Sequence, residues 1–362
     1  MRLWMSCGLL AGLLCVSSVR ADQYGLEKGK AELQSANVIA FGPDGILFVG
    51  DSKAAKIIAL QTGDKPGDPS KVSHSLDDLS GKIAGQLGVD KADILDIAVN
   101  PLSGHLFVSV GTAKGPQLVM LDGSGAIVPL DLGNIALSSI DLPNAPEDKV
   151  TGEGRRARNN RMSAVTDLAF VDGQILVSGM SNDPNAASTV RSFAFPFNGK
   201  AESTGLQIYH GAHGQLESLA PIRTFVPFII DGQANVLAGF VCTPLVKFPV
   251  SAISSGDSVR GTTIAELGNR NQPLDMIAYK KGGEDFLLLA NSARGVMKIS
   301  TKEVDRAQGI ESPVGGGGTA GQTYETIEAW KGVVQLDRLN DGHAVIVVDV
   351  EGRSALKTVD LP

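Results

Sequence analysis

Residues 37–60 read NVIAFGPDGILFVGDSKAAKIIAL, in which three apolar runs are separated by short polar segments. Pro43, Asp44 and Gly45 form the first separator, a combination typical of a tight turn between antiparallel strands. Continuous apolar runs bounded by turn residues are typical of strands buried on both faces. The segment therefore predicts a small antiparallel sheet that needs another sheet on each side.

The same pattern recurs along the chain, and such a repeat indicates an architecture built from equivalent units. Six copies begin at residues 37, 95, 166, 224, 275 and 332. Sheets that cover one another in a closed ring leave no open edge, so the repeat predicts an all-β, six-bladed β-propeller. A seven-bladed ring is the alternative, because the interval 122–165 is long enough to hold a degenerate blade.

Closure of the ring needs an outer strand for the last blade. The final copy ends after its third strand at Pro362, while residues 23–34 precede the first copy and have no partner there. We expect this N-terminal segment to supply the missing strand of the last blade; a disordered arm is the alternative. Between the first two copies, apolar residues at helical spacing predict a short amphipathic helix packed on the core: Leu76, Leu79, Ile83 and Leu87.

The first 21 residues have the features of a signal peptide. Arg2 precedes an apolar run over residues 3–16, and Ala21 provides a small residue before the predicted cleavage at Asp22. We therefore expect a secreted or periplasmic protein whose residues 22–362 form one propeller domain. Cleavage leaves Cys242 as the remaining cysteine, which excludes an intramolecular disulfide.

Composition excludes several classes of partner and activity. The net charge of −7 argues against nucleic acid, and no later apolar run is long enough for membrane insertion after signal removal. The sequence lacks GxSxG, a P-loop, CxxC and CxxCH, which disfavours serine hydrolases, nucleotide enzymes and c-type cytochromes.

Residues 38–60 resemble the repeats of NHL-type propellers and of the related SMP-30/gluconolactonase-like propellers. The resemblance implies that loops entering the innermost strands and loops after the second strands share one face. It also implies that ligands and metals bind at this mouth, near the central channel. Side chains entering the innermost strands are Asn37, Asp96, Asp167, Arg223, Thr224 and Asp275.

Oxygen-bearing side chains at the mouth suit Ca²⁺, which takes six to eight oxygen ligands. We assign Asn37, Asp96, Asp167 and Asp275 as candidate metal ligands on this ground. The alternative is that they cap turns and form hydrogen bonds between blades. Further ligand-binding candidates on the same predicted face are Arg223, Arg294, Asn182 and Asn291.

Two loop clusters offer other chemistry. Residues 209–217 read YHGAHGQLE and bring His210, His213 and Glu217 close together in sequence. These three side chains are competent ligands for Zn²⁺ or Cu²⁺. The alternatives are a histidine–glutamate acid–base pair or ordinary surface residues. Residues 152–161 read GEGRRARNNR, and this loop contains Arg155, Arg156, Arg158 and Arg161. Its guanidinium groups are suited to bind a carboxylate or phosphate. The alternatives are that they remain solvated or that they pair with carboxylates at the mouth.

The first functional hypothesis is a binding module that holds a small molecule, a glycan or a protein at the propeller mouth. The alternative is a metal-dependent lactonase-like hydrolase or isomerase with Asp96, Asp167 or His213 as base. A redox or metal-handling protein that uses the His-rich loop is a second alternative. Ca²⁺ is the first candidate metal, ahead of Zn²⁺ or Cu²⁺, and whether the protein is an enzyme stays open.

Overall fold

The computed structural model describes residues 23–154, 157–184, 186–305 and 308–362. These residues form six small antiparallel sheets around one axis, which confirms the predicted six-bladed β-propeller. The interval 122–165 supplies strands to two of the blades and a two-stranded hairpin, so no seventh blade forms in the described chain. The predicted signal peptide lies outside the described residues.

Each blade is numbered by the chain order of its innermost strand, and its strands follow here from the centre outward. Blade 1 contains β2 (Val38–Phe41), β3 (Ile46–Asp51), β4 (Lys56–Gln61), β10 (Ile135–Asp141) and β1 (Glu27–Gly29). Blade 2 contains β6 (Asp93–Val99), β7 (Leu106–Thr112), β8 (Gly115–Leu121) and β9 (Ile127–Pro129). Blade 3 contains β13 (Asp167–Val171), β14 (Gln174–Met180), β15 (Ser188–Ala194), β16 (Glu202–His210) and β17 (Gln215–Glu217), with β21 (Val259–Arg260) beside β16.

Blades 4 to 6 complete the ring. Blade 4 contains β18 (Ile222–Ile230), β19 (Gln233–Phe240), β20 (Pro244–Pro249), β22 (Thr262–Leu267) and β26 (Thr319–Gly321). Blade 5 contains β23 (Pro273–Lys281), β24 (Glu284–Asn291), β25 (Gly295–Ser300) and β27 (Tyr324–Thr326). Blade 6 contains β28 (Val333–Arg338), β29 (His343–Val350), β30 (Arg353–Asp360) and β5 (Ser75–Leu76).

The remaining elements are short. The hairpin pairs β11 (Val150–Thr151) with β12 (Arg158–Asn159), and the helices are α1 (Leu79–Leu87) and α2 (Val250–Ile253). Single 3₁₀ turns occur at Pro43–Gly45, Pro69–Lys71, Asn160–Ser163, Gly315–Gly317 and Glu328–Trp330. Within the described ranges, neither helix approaches the length and apolar character that a membrane crossing requires.

The blades are not arranged around the ring in chain order. Buried side chains of blade 1 pack against those of blade 2 on one side and blade 3 on the other. Blade 2 packs between blades 1 and 6, since Val108 shares a core cluster with Val345. The order around the axis is therefore 2, 1, 3, 4, 5, 6.

Outer strands from the segments flanking blade 2 tie this arrangement together. The segment entering blade 2 provides β5, in which Leu76 pairs with Leu356 of blade 6. The segment leaving blade 2 provides β10, in which Leu137 pairs with Leu60 of blade 1. Blade 2 is thus anchored to both of its neighbours by strands that the chain forms just before and just after it.

The prediction that the N-terminal segment completes the last blade is wrong. Residues 27–29 pair with β10 at the outer edge of blade 1, with Glu27 opposite Leu137. Because blade 2 rather than blade 1 neighbours blade 6, the segment entering blade 2 passes the open edge of β30 and occupies it. The predicted helix is confirmed as α1, whose Leu79 and Ile83 join the core between blades 2 and 6.

Candidate functional site

A cavity of about 760 Å³ opens at the end of the ring where the innermost strands begin. The residues that the sequence places at the entry of the innermost strands all line it: Asn37, Asp96, Asp167, Arg223, Thr224 and Asp275. They come together because each lies just before an innermost strand or within its first four residues, and all six innermost strands run in the same direction from the mouth.

Each blade contributes an equivalent side chain to the cavity wall. In every blade, the residue that follows this side chain in the sequence pairs with the same part of the second strand. In blade 2 that residue is Asp96, which pairs with Ser109, and in blade 3 it is Asp167, which pairs with Ser178. In blades 2, 4, 5 and 6 the equivalent residue occupies a β-bulge, which re-aims its side chain. The six wall residues are Asn37, Leu95, Thr166, Arg223, Leu274 and Val334.

These six wall residues divide the mouth into two halves. Leu95, Val334 and Leu274 come from blades 2, 6 and 5, which are consecutive in the ring. Asn37, Thr166 and Arg223 come from blades 1, 3 and 4, which are also consecutive. Among these six wall residues, one side is therefore aliphatic and the other carries hydrogen-bonding groups.

Aspartates below the wall join neighbouring innermost strands. Asp96 accepts the N–H of the next residue, Ile97, at 2.9 Å and that of Ile39 in blade 1 at 2.8 Å. In the same way Asp167 accepts from Leu168 and from Phe225 of blade 4. Asp275 of blade 5 accepts the N–H of Leu336 in blade 6. Asp337 of blade 6 accepts the N–H of Val99 in blade 2. These are the hydrogen bonds between blades that the sequence left as an alternative to metal binding.

The four channel aspartates are Asp96, Asp167, Asp275 and Asp337. They ionise less readily than ordinary carboxyl groups. Desolvation by the surrounding protein raises the pKa of Asp96 and Asp275 well above the usual value. The neighbouring aspartates repel each other, which raises both further. Burial also raises the pKa of Asp167 to about 7 and of Asp337 to about 6. The channel is therefore less negative at neutral pH than four free carboxylates would make it.

Two amide oxygens at the mouth have no partner among the described residues. Asn37 Oδ1 and Gln335 Oε1 are buried atoms without a hydrogen bond, although Gln335 Nε2 donates to the Leu95 carbonyl at 3.2 Å. Both residues line the cavity. Buried polar atoms are normally satisfied, so each of these oxygens lacks the partner that such an atom usually has.

Arg223 is the one basic residue among the six wall residues, at the position that Leu95, Leu274 and Val334 fill in other blades. With its oxygen turned toward Arg223, the Gln272 amide accepts from Nε at 3.2 Å and from Nη2 at 2.8 Å. Burial lowers the pKa of Arg223, but an arginine remains charged at neutral pH.

The other predicted ligand-binding residues that the structure describes lie outside the cavity lining. Arg161 donates to the carbonyls of Lys53 and Pro146, and Arg294 to that of Asn269. The remaining candidates have varied settings: Asn291 accepts from Asn271, Asn182 and Arg158 are exposed, and Arg155 and Arg156 lie outside the described residues.

Arg191 is a structural residue that the sequence analysis missed. Its fully buried guanidinium donates to four backbone carbonyls around the mouth of blade 3, those of Pro143, Asn144, Ala164 and Met180. Burial lowers its pKa to about 10. The available signal was a single arginine within the apolar strand STVRSFA.

A second cluster lies on the outer rim between blades 3 and 4. β16 ends at His210, a tight turn follows, and β17 returns to Glu217. Glu217 accepts from His210 Nδ1 at 2.9 Å and from His213 Nδ1 at 2.6 Å. Burial opposes ionisation of Glu217, but the hydrogen bonds from both histidines and from Gln215 outweigh it and lower its pKa. The structure thus brings all three residues of this sequence motif together.

Glu266 on β22 of blade 4 completes the rim cluster and was not predicted. It is buried, and its Oε1 accepts the N–H of Gly211 in the histidine turn. Burial raises its pKa, while the charge of His210 acts in the opposite direction. His210 Nε2 and Glu266 Oε2 are both buried without a partner among the described residues.

The two candidate metal sites differ in how tightly their donors are grouped. Ligand atoms of His210, His213 and Glu217 lie within 4.8 Å of one another. Within the described chain, no other group of three or more His, Cys, Asp or Glu residues meets this criterion, including the channel aspartates. Calcium binding by Asn37, Asp96, Asp167 and Asp275 stays a prediction.

Comparison with known proteins finds no protein-family model and no curated protein that matches the chain. Similar solved structures include the PQQ-bound aldose sugar dehydrogenase of Streptomyces coelicolor, with 13% identity, coverage of 92% of this chain and 96% of that chain, and a TM-score of 0.37. A Thermus thermophilus oxidoreductase assigned as a glucose dehydrogenase has 12% identity, 92% and 100% coverage, and a TM-score of 0.34. Streptogramin B lyase has 12% identity, 93% and 97% coverage, and a TM-score of 0.35. At these scores the likeness carries nothing about ligand or reaction, and the resemblance to NHL-repeat and SMP-30-like propellers stays a prediction.

Proposed function

We propose that this protein is an exported binding module that holds a small polyhydroxylated molecule, a sugar or the end of a glycan, at the propeller mouth. The observation that carries the proposal is the division of the wall into an aliphatic half and a hydrogen-bonding half. A sugar ring has the matching character, because its C–H groups are apolar and its hydroxyls both donate and accept.

The mouth offers both kinds of hydrogen-bonding partner. Asn37 Oδ1 and Gln335 Oε1 are unpartnered acceptors, whereas Arg223 is a charged donor. Small-molecule sites typically combine an apolar lining with a few such convergent polar groups that fix orientation. Satisfying the two orphaned oxygens is a gain that a hydroxyl-bearing ligand obtains and an apolar ligand does not.

Charge at the mouth disfavours an anionic ligand. The cavity lining has an excess of acidic over basic residues, namely Asp78, Asp90, Asp93, Asp96, Asp167, Asp275 and Asp349 against Lys91, Arg223 and Arg353. Lys91 is already paired with Asp93 at 2.7 Å. A neutral sugar therefore suits the mouth better than a sugar acid or a phosphorylated sugar.

One observation favours a second candidate function, a lactonase-like hydrolase at the same mouth. The pKa of Asp167, raised by burial to about 7, suits a general base at neutral pH. Both oxygens of this carboxylate accept backbone N–H groups, so its free lone pairs would have to receive the proton. Lactone hydrolysis that is lost in Asp167→Asn would support this candidate over simple binding.

A thermal-shift screen of the untagged protein lacking residues 1–21 tests the proposal. The panel contains neutral mono- and disaccharides, sugar acids, and organic polyamines of similar size. We expect stabilisation by at least one neutral sugar, since a ligand at about 100 times its Kd contributes about 2.7 kcal/mol. Stabilisation confined to polyamines or to sugar acids would contradict the sugar assignment.

A further inference from the structure

We propose that His210, His213 and Glu217 bind a divalent transition-metal ion, Zn²⁺ or Cu²⁺, on the rim between blades 3 and 4. This site is separate from the mouth, since none of the three residues lines the mouth cavity. The inference therefore does not depend on the proposed sugar binding.

The donor atoms already lie close together. A tetrahedral ion about 2.1 Å from each ligand atom requires those atoms to be about 3.4 Å apart. Glu217 lies 2.9 Å from His210 Nδ1 and 2.6 Å from His213 Nδ1 through its two carboxylate oxygens. An ion that replaces the shared protons needs these two separations to lengthen, while one ligand atom from each residue already lies within 4.8 Å of the other two.

Unsatisfied atoms indicate that the cluster is not complete by itself. His210 has 3% side-chain exposure, yet its Nε2 has no partner among the described residues. The buried Glu266 Oε2 is in the same state. If a metal ion takes the Nδ1 lone pair of His210, its proton resides on Nε2, and Glu266 is the nearby carboxylate whose pairing with that N–H would orient the ring.

The charge of the cluster suits a divalent ion. Glu217 and Glu266 together contribute two negative charges when ionised, and neutral imidazoles contribute none. A divalent cation balances this charge, which is costly to leave unbalanced because Glu266 is buried and Glu217 is half-buried. Two imidazole nitrogens and one carboxylate favour zinc or copper over Ca²⁺, which prefers oxygen ligands.

Access and rigidity also fit a binding site. His213 is 48% exposed, so an ion can reach the cluster from solvent. On the inner side, Gly211 donates to Glu266 and accepts from the Val314 N–H at 2.8 Å. The loop that contains Val314 thereby fixes the turn between the two histidines.

The test is a titration of untagged protein with Zn²⁺ and separately with Cu²⁺, because a polyhistidine tag would itself bind these ions. We expect about one equivalent of tightly bound ion, and an affinity at least about 100-fold weaker in His213→Ala. Glu266→Gln should weaken binding about 10-fold, the size typical of a residue that orients a ligand. In the Cu²⁺ complex, electron paramagnetic resonance should show coupling to nitrogen that diminishes in His213→Ala.

The matched control is His343→Ala, which removes a similarly exposed histidine that also lies beside a carboxylate, 3.2 Å from Asp360. This variant should bind the ions as the unmodified protein does. Equal affinity of His213→Ala and the unmodified protein would overturn the proposal. Displacement of the bound ion by millimolar Ca²⁺ would also overturn it, because that result indicates an oxygen-ligand site.

Discussion

Asp96 of blade 2 accepts the N–H of Ile39 in blade 1 at 2.8 Å, across the junction between two innermost strands. The same carboxylate accepts the N–H of Ile97 within its own blade at 2.9 Å. The contact shows how the ring holds blades 1 and 2 together at its centre, where each innermost strand has a free edge toward the channel. Equivalent contacts by Asp167, Asp275 and Asp337 make this a repeated device of the fold.

Loss of Asp96 should destabilise the protein far more than loss of a nearby aspartate. Asp96→Ala leaves two inner N–H groups without acceptors, and we expect unfolding free energy to fall by about 2 kcal/mol or more. Asp93→Ala on the same strand removes an exposed partner of Lys91 and should cost less than about 0.5 kcal/mol. Chemical denaturation measures both values, and equal losses would show that the blade-to-blade bond contributes little.

The pKa of Asp167 predicts a specific pH dependence of stability. Burial raises this pKa from 3.8 to about 7, so between these values the folded protein holds a proton that the unfolded chain has released. Unfolding free energy therefore falls as pH rises through this window. Asp167→Asn removes this pH-dependent loss of stability. The difference in melting temperature between the variant and the unmodified protein should therefore shift in favour of the variant by at least roughly 2 °C from pH 5 to pH 8.

The control for this pH experiment is Asp172→Asn, a change in an exposed turn of the same blade. Asp172 has a φ of 49°, which asparagine also adopts readily. Its melting temperature should follow that of the unmodified protein across the pH range. A profile of Asp167→Asn parallel to both would contradict the raised pKa.

Ring closure by β5 predicts that the contact beside it matters for stability. His74 donates its backbone N–H to Thr358 Oγ1 at 2.7 Å, and Thr358 donates its own N–H to the His74 carbonyl at 2.8 Å. Thr358→Val removes the first bond and should cost about 1 kcal/mol, or about 1–2 °C in melting temperature for a chain of this length. Thr326→Val on the outer strand of blade 5 is the control, and an equal shift in both variants would argue against a closing role for this contact.

Arg191 should tolerate no replacement, even by another cation. Its guanidinium reaches four carbonyls, an arrangement that the single ammonium of lysine cannot reproduce. We expect Arg191→Lys to lower the unfolding free energy by about 3 kcal/mol, because several buried carbonyls lose their donors. Arg158→Lys, at an exposed position, should have almost no effect, and denaturation curves that coincide for the two variants would contradict this role.

The repeated pattern was sufficient to predict the blades but not their order around the axis. All innermost strands have similar apolar character, so Ile39 gives no sign of whether its neighbour is Asp96 or a residue of another blade. The exchanged outer strands are short, and Ser75–Leu76 has only two residues, too few for a recognisable pattern. The order depends on which core faces fit best, and that is a property of packing rather than of local sequence.

The candidate sites were predictable where the relevant residues are close in sequence or occupy repeated positions. His210, His213 and Glu217 fall within one short turn, and the mouth residues each begin a repeat. Glu266 lies on a different blade, so only the packing of blades 3 and 4 brings it to the histidines. The aliphatic half of the mouth was also missed, because Leu95 and its equivalents resemble ordinary core residues until β-bulges turn them toward the channel.

Calorimetric titration with the neutral sugar that most stabilises the protein is the decisive experiment on the mouth. If the orphaned oxygen of Asn37 accepts a sugar hydroxyl, Asn37→Ala should weaken binding about tenfold, equivalent to about 1.4 kcal/mol. Asn182→Ala, an exposed amide outside the cavity lining, should leave the affinity unchanged. Equal affinities for both variants and the unmodified protein, or no heat of binding with any neutral sugar, would contradict a sugar site at the mouth.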